Sequence, residues 1–215
     1  SIIEAVLYQH PSVVSYLFFM RVGEPVLYVK TALKVRSSAI FQVFLDYGWN
    51  INEPLERTMP PALSYISDDR GLTEWFLNHG ADPNTICAWD FTPMSEAMCR
   101  ASLGTIKLLF DHGGNIEQGQ LLHHAVQRAA PDVLELVGLL LDRGASINEI
   151  QYENHAESWR DRCLFGLGTP LHYAAQSGNI QLVMFLLSKG ADATIKDTKG
   201  RTAPESAEYY RQSEV

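Results

Sequence analysis

Cysteine is scarce in this chain of 215 residues: three occur, Cys87, Cys99 and Cys163, with no C-x-x-C spacing. An odd number so spaced excludes a disulfide framework and a closed zinc site, and the thiols are expected to be reduced and intracellular. Dense runs of Lys or Arg are also missing, and the net charge is −8. The electrostatic pull on phosphates or anionic lipid is therefore absent, so neither a nucleic-acid nor a membrane partner is expected. The most apolar stretch near the start, Val13 to Met20, is too short to span a bilayer. No GxSxG, GxGxxG, Walker loop or HExxH occurs, and no Cys or His pair has ligand spacing. No catalytic residue, cofactor or metal is therefore assigned.

Apolar residues make up 46% of the chain, enough to bury a sizeable core. They recur in a stripe that ends in glycine: FQVFLDYG to Gly48, TEWFLNHG to Gly80, IKLLFDHG to Gly113, VGLLLDRG to Gly144 and LVMFLLSKG to Gly190. The intervals are 32, 33, 31 and 46 residues. Each stripe places apolar side chains at i, i+3 and i+4 on one helix face, and the glycine supplies the left-handed residue that ends it. A period near 33 points to stacked helix pairs. Asn or Asp clusters after most of the glycines, as in Gly80-Ala-Asp-Pro-Asn84, read as tight turns.

The clearest unit runs GTPLHYAAQSG from Gly168 to Gly178 and continues to Gly190-Ala-Asp. Thr169-Pro170 suits a helix start, with Thr as cap and Pro where no amide bond is lost, and the pair recurs at Thr92-Pro93. Both lie 21 residues before their terminal glycine. This unit resembles the ankyrin repeat almost residue for residue. The resemblance covers roughly residues 25 to 210 and implies an all-α solenoid of about five helix-pair repeats plus caps. Residues 1–24 read as degenerate capping helices broken at His10-Pro11, 25–200 as repeats and 201–215 as a half-repeat cap. The unit ending at Gly80 enters through Pro60-Pro61-Ala62-Leu63, and the one ending at Gly144 lacks the Thr-Pro pair. From Gly144 to Thr169 is 25 residues where Gly190 to Thr202 is 12, so one finger carries thirteen extra residues, an insertion at about 150–167 rich in aromatics and charge.

The resemblance implies a protein-interaction module, cytoplasmic or nuclear, that presents a concave surface of fingers and inner helices to a protein or peptide. By the family's geometry that groove takes Tyr65, Glu96, Arg100, His124, Arg128, Tyr173 and Gln176, together with Asp68, Cys99 and Gln127. Trp89 and Phe91 in one finger, and Tyr152, Trp159 and Arg160 in the insertion, are further partner-binding candidates, because aromatics and Arg on turns suit interface hot spots. For Trp89 and Phe91 the other reading is packing on the next finger; for Trp159 it is an insertion folded back over the solenoid. His123 and His172 occupy the family's His slot, which implies hydrogen bonds between neighbouring fingers. The alternative function is a small enzyme or small-molecule binder whose pocket the insertion encloses.

Overall fold

The computed structural model describes residues 1–213, with side chains to Arg211, so the last two positions of the expected C-terminal half-repeat lie outside it. Helices α1 (Ile2–Leu7), α2 (Pro11–Phe19), α3 (Val29–Val35) and α4 (Ser38–Asp46) open the chain. The next unit has a short antiparallel hairpin, β1 (Pro54–Glu56) with β2 (Met59–Pro61), a 3-10 turn at Ala62–Tyr65, and α5 (Arg70–Asn78). Three full pairs follow: α6 (Pro93–Arg100) with α7 (Leu103–Asp111), α8 (Leu121–Val126) with α9 (Val133–Asp142), and, after α10 (Ala156–Arg162), α11 (Pro170–Gln176) with α12 (Ile180–Ser188). The final element is α13 (Ala203–Ser213). The chain is an all-α solenoid in which α4, α5, α7, α9 and α12 are the second helices of successive units.

The stripes fill the core. Phe76, Ile106, Leu109, Leu136, Leu140, Leu182 and Leu186 are fully buried, and each such side chain contributes about 1.5–3 kcal/mol. Where the first helix of a unit shrinks to the turn at Ala62–Tyr65, aromatics make up the volume. Phe41 meets Phe76 edge to face with ring centroids 4.8 Å apart, and Trp49 stacks beside Phe41 at 5.9 Å. The five stripe glycines have φ between 82° and 95°, the left-handed conformation that turns the chain out of the second helix.

The two Thr-Pro starts are capping boxes. Thr92 caps the Ser95 amide while the Ser95 hydroxyl returns to the Thr92 amide, and Thr169 forms the same box with His172. The unit without that pair starts differently: Gln120 takes the left-handed conformation at the head of α8.

Candidate functional site

The slot three residues into each inner helix stitches neighbouring fingers together. His123 Nε2 lies 3.0 Å from the Glu149 carbonyl, and His172 Nε2 lies 3.0 Å from the Arg201 carbonyl. Ser95 does the same work in its unit, donating to the Gly119 carbonyl at 2.6 Å. Ser64 holds the corresponding place where the first helix is only a turn, and its buried hydroxyl has no partner. Burial depresses the His123 pKa to about 3, so the ring is a neutral structural group.

Two surfaces emerge from the sequence candidates. The first is open. Tyr65, half-buried, has its phenol pushed up by burial and then by Glu96, Cys87 and Glu56, which places it among these groups. Glu96 pairs with Arg100 at 2.7 Å, and the Arg100 side chain is 72% exposed. Arg36 joins this surface by donating to the Tyr65 carbonyl at 3.2 Å and pairing with Asp68 at 3.0 Å. Burial raises the Cys99 thiol pKa, the opposite of the shift that activates a thiol.

The second surface is covered by the insertion. α10 lies against the finger that carries Trp89, with the Arg162 guanidinium 4.0 Å from the Trp89 ring centroid and 5.9 Å from that of Tyr152. The Asp90 amide donates to Ser158 Oγ at 3.1 Å. The Asp90 carboxylate accepts from the Gly119 amide and the Gln120 side chain, both at 2.7 Å, and Gln120 Oε1 accepts from the Tyr152 amide at 3.0 Å. Phe91 packs edge-on to His124 at 5.1 Å, and burial depresses the His124 pKa to about 4. The Tyr173 hydroxyl donates to Gln151 at 2.6 Å, and its own pKa is raised by burial.

Two candidates need correction. Tyr152 does not project from a turn; it is 5% exposed, packed inside the insertion's own contact with the fingers. Arg128 does not face the groove as a free cation. It clamps Asp132 through two bonds of 2.7 and 2.8 Å and donates to the Met98 and Ala101 carbonyls, closing the end of α6. Gln176 bonds Ser206 at 2.8 Å. Of the insertion's candidates, Arg160 keeps a side chain 72% exposed and Trp159 is half-buried. The residues missed by sequence reasoning are Asp90, Ser158 and Arg162. Their contacts join positions about 70 apart, and no local pattern announces them.

The family model for the ankyrin repeat matches residues 168–198, the unit of α11, α12 and the finger after them. Residues 168–198 are an ankyrin repeat, and the chain is similar to ankyrin repeat proteins well beyond them. It is 29% identical over 167 residues to an ankyrin repeat protein of fowlpox virus, covering 75% of this chain and 22% of the relative. It is 30% identical over 143 residues to the ankyrin repeat, SAM and basic leucine zipper domain-containing protein 1 of Ornithorhynchus anatinus, covering 64% and 27% respectively. The ankyrin repeat and SOCS box protein 11 of Danio rerio is 30% identical over 116 residues, 52% of this chain and 34% of that protein. The chain thus spans at most about a third of the length of these curated relatives. Among the described residues, no helix is long and apolar enough to cross a membrane, and no cluster of His, Cys, Asp or Glu is placed to hold a metal ion.

Proposed function

We propose that this ankyrin-repeat chain binds a protein or peptide partner on the side formed by its fingers and inner helices, with 25–200 as the repeats, 1–24 and 201–215 as caps. Ankyrin repeats are protein-interaction modules in general, and the choice of surface rests on one observation. Most stripe side chains are taken up by the core, though Met184 and Leu187 of the last stripe are exposed, whereas Tyr65, Glu96 and the exposed Arg100 lie together as a mixed-charge, aromatic patch. Such a patch suits a polypeptide better than a phosphate track.

The test is capture from a lysate of the source organism on the immobilised chain, compared with a Tyr65→Ser, Arg100→Glu variant of unchanged melting behaviour. A protein retained by the wild type and lost from the variant supports the reading. Equal retention of every protein by both defeats this choice of surface.

A further inference from the structure

The insertion is bound to its own solenoid as a ligand would be. Leaving the repeat at Ile150, it runs back over earlier fingers: Arg162 reaches Trp89, Ser158 receives the Asp90 amide, and Glu157 meets Arg57 at 2.5 Å, a hundred positions upstream. Ser158 and Arg162 are four residues apart, on one face of α10, so one helical turn makes both principal contacts.

The fit carries defects. Arg162 Nε and His124 Nε2 are both buried with no hydrogen-bond partner, and a buried polar atom left unpaired weakens whatever seals it. Tyr152, at the entrance to the strap, has φ of 63°, a conformation unfavourable for an aromatic residue. Tyr152 and Gln151 anchor the start of the insertion through Gln120 and Tyr173. Beyond them α10 is held by one stacked cation, one hydroxyl and an exposed ion pair, with its own Arg162 Nε and the facing His124 Nε2 unsatisfied, and is positioned to exchange.

We propose that α10 is a cis ligand occupying a docking site for a partner protein's helical segment, one that carries Arg to stack on Trp89 and, a turn earlier, Ser or Thr to receive the Asp90 amide. This rests on the protein-binding reading above. The required arginine suits a chain of net charge −8, and stacking of guanidinium on Trp is among the stronger cation–π contacts. A polar group brought by the partner would satisfy His124 Nε2, and Arg162 Nε would reach water once α10 is released.

The probe is a fluorescein-labelled peptide of residues 150–167, titrated into the full chain. A Ser158→Ala, Arg162→Ala variant, with its strap loosened, should bind the peptide at least about tenfold more tightly than wild type. Adding Trp89→Ala should abolish that gain, as should replacing Arg162 by Ala in the peptide. Hydrogen exchange on the wild type needs no variant: amides of α10 should exchange by local opening, well ahead of those in α6 and α8. Equal peptide affinity for wild type and variant, or α10 amides that exchange only on global unfolding, overturns the proposal. If the lysate partner still binds while the peptide test fails, the cis ligand falls and the open surface stands.

Discussion

Asn84 joins its own turn to the next: its Nδ2 donates to the Gly113 carbonyl at 2.9 Å, and its Oδ1 accepts from the Asn115 amide at 2.7 Å. Asn52 makes the same two bonds to Gly80 and Asp82, and Asn148 makes them to Gly190 and Asp192. The stacking of units is thus written twice, once in the apolar stripes and once in a row of amides along the turns. Asn84→Ala removes both bonds and should cost roughly 1–2 kcal/mol. Asn154→Ala, which loses only an exposed bond to Glu149, should stay within about 0.5 kcal/mol. Urea midpoints at a common slope check the pair; equal losses would mean the turn amides add nothing.

Two glycines with similar backbone angles separate strain from crowding. Gly144 has φ of 93° and open space where a Cβ would sit, so Gly144→Ala should cost only the left-handed penalty, about 1 kcal/mol. At Gly119, φ is 78° and a Cβ would lie 2.4 Å from Ser95 Oγ and 2.5 Å from Thr92 Oγ1. Gly119→Ala must therefore also break the Ser95 bond and the start of α6, and should lose about 3 kcal/mol or more. Denaturant unfolding of both variants decides it.

The architecture was legible because its determinants are local. A stripe at helical spacing, a left-handed glycine and a Thr-Pro cap each fit within a few residues, and their recurrence sets the stacking. Pro60-Pro61-Ala62-Leu63 signalled an irregular start, and the chain there has a hairpin and a 3-10 turn in place of a helix. The candidate site was legible only in part. Tyr65, Glu96 and Arg100 follow from register, but the fate of Trp89 depends on where the insertion lands. That landing is decided by Asp90, Ser158 and Arg162, single residues whose partners are remote in sequence. Arg128 misled for a related reason: its register is that of a groove residue, while Asp132, one turn on, and two free carbonyls of α6 claim its guanidinium.

Asp197 anchors the last finger. It is buried and accepts from the Lys199 amide at 2.8 Å and from the Arg201 amide and guanidinium at 2.9 Å each. Burial works against its charge, yet the Arg201 and Lys199 bonds outweigh it and hold the carboxyl below its ordinary range. Asp197→Ala would take the carboxylate from the Arg201 guanidinium, leaving it only its Tyr209 and Tyr210 contacts, and free the loop against which Leu167 closes, at a cost of about 3 kcal/mol. Arg201→Ala leaves the carboxylate with its amide donors and should cost less. Thermal melts of the two variants give the order, and a reversed order would place the stability in the Arg201 contact with Tyr209.

The adjacent histidines His123 and His124 make stability pH-dependent. Both have folded-state pKa values depressed by burial, to about 3 and about 4, below the 6.5 of an exposed imidazole. As pH falls below 6.5 the unfolded chain takes up protons at these positions while the folded chain does not, so stability declines with acid. Each histidine contributes a slope of up to about 1.4 kcal/mol per pH unit, and the loss levels off near the folded pKa values. Urea midpoints of the wild type should therefore drop steadily from pH 6.5 toward pH 4. A His123→Gln, His124→Phe variant has neither titrating ring, so its profile over that window should be markedly flatter, whatever its absolute stability. An unchanged slope in the variant would assign the acid sensitivity to other groups.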